Sequence, residues 1–248
     1  MPNPLEFWLG RWDVISPEGE FAGRNLPWRS TRDPYAILVS EVMLQQTQAA
    51  RVAPRWLAWL ERWPTPQALA SAPTADVIRE WQGLGYNRRA ITLQRAAQVV
   101  AEHGWPDDLT ELPGVGPYTA AAVGCFSFGH DVLPVDVNVR RVQERTGHSF
   151  SARSAQALMD LGATVCVARV PRCDSCPLAE PCPSRGNRYE PLRRQSRFEG
   201  SFRQRRSATL RLVAAEERAL AELDGEAVES LRADGLVAVA AGRVSLPA

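Results

Sequence analysis

The chain of 248 residues contains no lysine, and all 29 of its basic residues are arginine. Chemistry that needs a lysine amine, such as a side-chain Schiff-base lyase, is therefore excluded, and only the N-terminal amine stays as a formal route. Long apolar runs are lacking as well, and none approaches the roughly 20 residues that a membrane helix requires. No charged-then-apolar leader opens the sequence, so the expectation is a cytoplasmic protein rather than an exported one. Charge of one sign is not in excess either: the formal net value is +1, so bulk electrostatics announces no polyanionic partner. Hydrophobic residues at 45% against charged residues at 23% exclude a disordered chain. The length suits one large domain or one domain with a small appendage.

Four of the five cysteines, Cys166, Cys173, Cys176 and Cys182, fall close together, and Cys125 stands alone. A disulfide framework would be spread through a small secreted chain, so the cluster points instead to a metal. The uneven spacing, with only Cys173 and Cys176 forming a close pair, suits a 4Fe-4S cluster. Zinc, whose ribbons show two close pairs, is the competing reading. Cys125 reads as a small buried helix residue.

Residues 1–30 are tryptophan-rich and irregular, whereas residues 31–165 read as successive helices with short breaks. Asp33-Pro34 is a helix start, an N-cap followed by proline in the first turn. A helical segment is expected from Tyr35 to about Arg51, with others over 53–63, 66–71, 74–82, 88–103 and 107–112, punctuated by Pro64, Pro66, Pro73, Gly83 and Gly104. Alternating strand patterns are scarce, so the main domain is read as all-α. Residues 185–206 carry eight arginines against Glu190 and Glu199, while residues 216–234 carry seven acidic residues against Arg218 and Arg232. The near-zero net charge is thus a cancellation between segments. From Ala219 the pattern gives a helix, an Asp224-Gly225 break, a helix over 226–233 and two short strands around Gly242. That order resembles a small winged-helix module, serving either as a packing cap or as a DNA-touching wing.

Three further strings carry chemistry. In Leu112-Pro113-Gly114-Val115-Gly116-Pro117-Tyr118-Thr119, the glycines free the backbone to turn and to approach another surface, and Pro117 opens the apolar helix Ala120–Phe128. Backbone N–H groups at such a turn can grip a phosphate, although a purely structural turn between helices has the same signature. Asp136, ahead of Val137-Asn138-Val139-Arg140-Arg141, is placed to cap a helix, and an ionised carboxylate there can also stabilise a cationic sugar. In Ser40-Glu41-Val42-Met43-Leu44-Gln45-Gln46-Thr47-Gln48, a glutamate in an apolar stretch should be desolvated, which raises its pKa and suits a proton donor. The glutamines can pair with base edges or fill a gap in a base stack; a polar helix end on the surface reads the same way. Arg169 and Arg172, between the first two cysteines of the cluster, are poised for phosphates.

Taken together, the hairpin, the downstream aspartate and the cysteine cluster resemble the helix-hairpin-helix DNA glycosylase superfamily that includes endonuclease III, over about residues 24–184. Leu26-Pro27-Trp28-Arg29, Asp33-Pro34-Tyr35, the string from Ser40 to Gln48, Gly83-Leu84-Gly85-Tyr86 and Gln156-Ala157-Leu158-Met159-Asp160-Leu161-Gly162-Ala163-Thr164-Val165-Cys166 are similar to its adenine-specific, MutY-type branch. The resemblance implies a two-lobed fold: a six-helix barrel lobe over about 31–135, a cluster lobe from 1–30 and 136–184, a basic linker at 185–206 and the small module at 207–248.

Its implied chemistry is release of adenine mispaired with 8-oxoguanine or guanine. Glu41 would protonate the adenine ring, Asp136 would stabilise the oxocarbenium-like sugar, Tyr118 would assist beside it, and Asn138 would orient water and carboxylates. Trp28, Arg29 and Gln156 would recognise the flipped adenine. Gln46 and Tyr86 would fill the opened duplex, Gln45 and Thr47 would bind DNA beside them, and Pro113, Gly114, Val115 and Gly116 would hold the backbone. An enzyme acting on a paired base must extrude it and fill the vacancy. The lyase branch has lysine where this chain has Tyr118, so the resemblance implies a monofunctional enzyme. The implied partners are a 4Fe-4S cluster bound by the four clustered cysteines and a double-stranded DNA, with the protein a monomer. Three departures stand out: Val137 replaces the family's glycine, the Asp136–Cys166 segment is shorter than usual, and residues 207–248 do not match the 8-oxoguanine-reading domain common in this branch. Two other readings are a thymine or uracil glycosylase acting opposite guanine, which Glu41 and Gln156 argue against, and an iron–sulfur DNA-binding protein without catalysis.

Overall fold

The computed structural model describes residues 24–190 and 197–247. Most of the tryptophan-rich start, residues 1–23, and Arg193 and Arg194 of the basic stretch lie outside the described residues. By contacts, the described chain forms two compact units. One holds the residues up to Ile37 and those from Gly116 to 190, and the other holds Leu38–Val115 and 197–247.

Asp33 starts α1 (Pro34–Leu44) as its N-cap, accepting hydrogen bonds from the backbone N–H groups of Tyr35 at 3.1 Å and Ala36 at 3.3 Å. Every residue from Tyr35 to Met43 is buried, including Ser40 and Glu41, as befits a helix that is apolar on all sides. The helical segment expected to run to about Arg51 is interrupted. Gln46 adopts a left-handed φ of 57°, and a new helix, α2 (Ala49–Arg62), begins after Gln48. Then follow α3 (Pro66–Ala70), α4 (Thr74–Glu80) and α5 (Arg88–His103), close to their expected ranges. Their core is tryptophan-rich: Trp59 meets Trp63 and Trp81 edge-on, with ring centroids 4.7 and 5.4 Å apart. The helix expected over 107–112 is only a 3-10 turn, Leu109–Glu111, capped by Asp108.

Beyond the hairpin, α6 (Pro117–Val123) continues into a π-helical turn, Gly124–Phe128. Next come α7 (Val137–Thr146) and α8 (Ala155–Asp160), the latter prolonged by a π-helical turn, Leu161–Val165, that delivers Cys166. Val139, Val142, Phe150, Leu158, Leu161 and Leu178 form one buried cluster here. The short Asp136–Cys166 segment therefore still closes a core of its own.

The C-terminal part departs from the expected pattern. Part of the expected basic linker is helix α9 (Phe202–Ala215), capped by Ser201 and buried along Thr209, Leu210, Val213 and Ala214. The helix expected from Ala219 is instead β1 (Arg218–Ala219) and a 3-10 turn, Leu220–Glu222. After α10 (Gly225–Ala233) come β2 (Ala238–Ala240) and β3 (Arg243–Ser245), giving an antiparallel sheet in the order β1-β3-β2. Arginine density hid α9 from a periodicity reading, because two of its charges are paired within the module. Arg205 pairs with Asp224 at 2.8 Å and Glu226 at 2.6 Å, and Arg206 pairs with Asp234. The module shares a single buried core with Ile78 of α4 and Ile91 of α5.

Candidate functional site

The start of α7 makes Asp136 both a cap and a presented carboxylate. Its Oδ1 accepts from the backbone N–H groups of Asn138 at 2.8 Å and Val139 at 2.7 Å, and its Oδ2 accepts from the Asn138 side-chain amide at 2.9 Å. The capping and catalytic readings of this aspartate are thus compatible. Val137 is 76% exposed and helical, so its side chain crowds nothing at the cap.

Asn138 is held from its other side by Arg141, whose Nη2 donates to Asn138 Oδ1 at 2.7 Å and to the Gly162 carbonyl at 2.6 Å, while Nε donates to the Cys166 carbonyl at 2.7 Å. Burial lowers the pKa of this guanidinium, with nearby Cys166 acting in the opposite sense. Gly162 lets the helices approach: a Cβ there would lie 2.6 Å from the Asn138 Cβ. The string from Gln156 to Cys166 therefore supports α7 directly. Reading the sequence alone misses Arg141 and Gly162 as supports, and the two basic residues after Asn138 are the only local sign.

Arg29, expected to meet a flipped base, is tied down by Asp160: its Nη1 and Nη2 each donate to that carboxylate at 2.7 Å. Arg24 adds its Nε at 2.6 Å and its backbone N–H at 2.8 Å. Burial alone would raise the Asp160 pKa, but the hydrogen bonds from Arg29 and Arg24 outweigh it and hold the carboxyl below the ordinary range. Gln156 lies one helical turn before Asp160 on α8, so the two share a face. Trp28 is buried in the same unit. Neither Arg24 nor Asp160 was expected as a site residue; an acid within an apolar helix was the available signal.

Glu41 is 5% exposed on α1, as its apolar surroundings predict. By contacts it belongs to the unit with Leu38–Val115, whereas Asp136, Asn138 and the half-buried Tyr118 belong to the other. In the hairpin, Gly114 requires its hydrogen side chain: φ is +77° and a Cβ would sit 2.9 Å from the Thr92 Cβ. Gly116 is extended, and a Cβ there would meet nothing within 4 Å. Its conformational freedom is thus not needed for the turn. Between them, Pro113 is half-buried and Val115 buried.

Two exposed loops carry the residues expected to enter a duplex. Gln45, Gln46 and Thr47 follow α1, and Tyr86 closes the Gly83–Tyr86 turn. Gln46 and Tyr86 both adopt left-handed backbone, with φ of 57° and 46°. Arg169 and Arg172 are exposed, and Arg172 anchors its loop by donating its backbone N–H to the Val165 carbonyl at 2.9 Å.

Cys166, Cys173, Cys176 and Cys182 line one cavity of about 400 Å3, counted out to its open mouth, together with Val142, Leu161 and Leu178. Among the described residues, no group of three or more His, Cys, Asp or Glu side chains converges closely enough to grip a single metal ion. Two sulfurs receive N–H groups: Gly186 donates to Cys173 Sγ at 3.3 Å and Arg145 to Cys166 Sγ at 3.4 Å. Arg145 also donates to the Val167 and Ala168 carbonyls and stacks 3.7 Å from the Tyr189 ring centroid. Burial pushes the Cys176 thiol up to about 11.

Residues 39–162 match the HhH-GPD superfamily of base excision DNA repair proteins. An adenine DNA glycosylase of Mycobacterium tuberculosis (strain CDC 1551 / Oshkosh) is 44% identical, covering 90% of this chain and 89% of that protein. The adenine DNA glycosylase of Homo sapiens is 38% identical, covering 65% of this chain but 37% of the human protein. A solved thermostable thymine-DNA glycosylase superposes with a TM-score of 0.62 at 28% identity, over 72% of this chain and 93% of that one. The chain therefore belongs to the HhH-GPD superfamily of base excision DNA repair proteins, on the branch of the adenine DNA glycosylases.

Proposed function

We propose that this chain is an adenine DNA glycosylase of base excision repair, acting on double-stranded DNA in which adenine is mispaired with 8-oxoguanine or guanine. The observation that carries the reading is the 44% identity with a named adenine DNA glycosylase along nine-tenths of the chain. The three-donor grip on Asp136 and the burial of Glu41 support it.

In the proposed reaction, Glu41 gives a proton to a ring nitrogen of the extruded adenine, and the N-glycosidic electron pair departs with the base. The Asp136 carboxylate faces the oxocarbenium-like sugar, with Tyr118 beside it, and Asn138 orients the water that adds to the sugar carbon. The products are free adenine and an abasic site. Arg29, fixed by Asp160, together with Trp28 and Gln156, recognises the base. The hairpin from Pro113 to Gly116 and the exposed Arg169 and Arg172 contact phosphates. No lysine is available to continue to strand cleavage. The protein acts as a cytoplasmic monomer.

The four cysteines suit a 4Fe-4S cluster. They surround a cavity rather than a point, two sulfurs accept N–H groups, and a half-buried thiol as reluctant to ionise as Cys176 needs a cationic partner to become a ligand. Bound there, the cluster supplies a rigid cross-link of the Cys166–Cys182 loop and no step of the hydrolysis.

A second reading, thymine or uracil release opposite guanine, draws on the likeness to the thymine-DNA glycosylase. One panel decides between them: duplexes with adenine opposite 8-oxoguanine, A:G, T:G and U:G are incubated with the protein and then treated with alkali. Cleavage of the adenine strands alone is expected, and cleavage confined to T:G and U:G would overturn the reading. Borohydride added with abasic DNA should trap no covalent complex.

A further inference from the structure

The two strained loops expected to enter the duplex are gathered by one side chain that the proposed reaction does not use. Arg89, in the first turn of α5, directs Nη1 at the carbonyls of Val42 (2.7 Å), Met43 (3.1 Å) and Gln45 (2.6 Å). The first two are C-terminal carbonyls of α1, which have no helical partner and favour a cation. Its Nη2 reaches Thr47 Oγ1 (3.2 Å), the Leu84 carbonyl (3.3 Å) and the Gly85 carbonyl (2.9 Å), and its Nε reaches the Tyr86 carbonyl (3.3 Å). The guanidinium also lies over the rings of Trp81 and Tyr86, 5.3 and 5.7 Å from their centroids. Thr47 Oγ1 adds a direct bond between the loops by donating to the Leu84 carbonyl at 3.2 Å.

We infer that Arg89 is the positioning residue of the duplex-opening apparatus, fixing Gln46 and Tyr86 in their left-handed conformations as one rigid pair. This rests on the glycosylase reading and goes beyond it, because Arg89 touches neither base nor sugar in that scheme. A left-handed backbone at a residue other than glycine costs free energy and persists only where the surroundings over-determine it. Here one guanidinium binds the Gln45 carbonyl and the Thr47 hydroxyl on either side of Gln46, and the carbonyl of Tyr86 itself. Arg55 braces the far side of the second loop, donating from Nη2 to the Gln82 carbonyl at 2.6 Å. The loop's flanks carry buried polar atoms, Gln82 Nε2 and Asn87 Oδ1, that have no hydrogen-bond partner among the described residues. Burial lowers the Arg89 pKa to about 10, which leaves it charged at neutral pH. A lysine offers three donors from one point and cannot span both loops, so the fork geometry is what the position requires.

The test compares Arg89→Met and Arg89→Lys with the unaltered protein on two substrates: adenine opposite guanine in a closed duplex, and adenine opposite an abasic site, where no partner base must be held apart. Misplacement of the pair should slow adenine release from the closed duplex by about 10²-fold for Arg89→Met, and by less for Arg89→Lys. Release from the opened duplex should stay near that of the unaltered protein. A 2-aminopurine placed beside the target should brighten on mixing with the unaltered protein and not with Arg89→Met. Equal losses on both substrates with unchanged brightening would overturn the inference and leave the glycosylase reading intact. If the unaltered protein releases no adenine from any duplex, that reading fails, and the fluorescence comparison alone decides the role of Arg89. Should Arg89→Met not fold, Arg89→Lys, which keeps the charge but not the fork, must show the same selective loss on the closed duplex; an unselective loss counts against the inference.

Discussion

Arg141 donates to Asn138 Oδ1 at 2.7 Å, and the amide so oriented donates in turn to Asp136 Oδ2 at 2.9 Å. The same guanidinium grips the carbonyl of Cys166, so one arginine links the carboxylate to the start of the cysteine loop. Replacing it by methionine frees the amide to flip and leaves the Gly162 and Cys166 carbonyls short of a donor. Adenine release by Arg141→Met should fall by about 10²-fold, the scale expected when a catalytic group is misplaced by about 1 Å. Single-turnover rates, with iron content measured on the same preparation, check this. Unchanged release at full iron content would remove Arg141 from the support of Asp136.

The cap and the chemistry of Asp136 separate with a pair of variants. Asparagine caps a helix about as well as aspartate, so Asp136→Asn should fold normally and bind duplex, yet it carries no charge for the sugar cation and should release no adenine. Asp136→Ala removes both roles and should lose in addition about 1 kcal/mol of stability. Urea unfolding and the alkali assay, run side by side, test the pair. Activity in Asp136→Asn equal to that of the unaltered protein would reduce this residue to a cap.

Much of this site is written in local sequence. Asp33-Pro34 marks the start of α1, Asp136 that of α7, and the cysteine spacing marks the cavity, because each signal acts over a few residues. What escapes notice acts at long range. Arg24 and Asp160 are separated by 136 positions, and Arg89 reaches back 44 residues to Gln45. The break in the helix expected to run to Arg51 falls at a glutamine in left-handed backbone, which no glycine or proline announces and which Arg89 sustains from another helix. Helix α9 is hidden for a different reason: its arginines look like a solvated linker until Asp224, Glu226 and Asp234 supply their partners.

Gly162 is required by contact rather than by backbone angle. A methyl group there would lie 2.6 Å from the Asn138 Cβ and 3.0 Å from its backbone carbon and oxygen, so the first turn of α7 must move. Overpacking of this kind costs about 1–3 kcal/mol, and the shift is imposed on the residue that orients Asp136. Gly162→Ala should therefore melt earlier and lose activity beyond what the fraction unfolded explains. A melting point and rate equal to those of the unaltered protein would show that the helices part without cost.

The cysteine cavity predicts its own contents. Protein purified without oxygen should be brown, with a broad visible absorption band and about four irons per chain. Cys176→Ser should lose the band and expose the Cys166–Cys182 loop to protease. Colourless protein holding one zinc per chain would overturn the cluster assignment.

The Asp160 carboxylate should make stability depend on acid. Its folded pKa lies below the ordinary value, because the hydrogen bonds from Arg29 and Arg24 outweigh burial, whereas in the unfolded chain it titrates near 3.9. The unfolded state therefore binds the proton more readily. The stabilisation is complete above about pH 4 and is lost as the pH falls through the folded value. Asp160→Asn cannot accept from two guanidinium groups as a carboxylate does, and it leaves Arg29 only 13% exposed in its side chain without a counter-charge. At neutral pH it should be less stable by about 3 kcal/mol, the lower end of the cost of breaking a buried pair. As the pH falls below about 4 the deficit should shrink, since the unfolded chain then takes up a proton that the folded carboxylate resists. Urea unfolding of both proteins from pH 7 down to pH 2.5 measures the difference. A gap that stays constant across that range would mean that the carboxylate is held by shape rather than by charge.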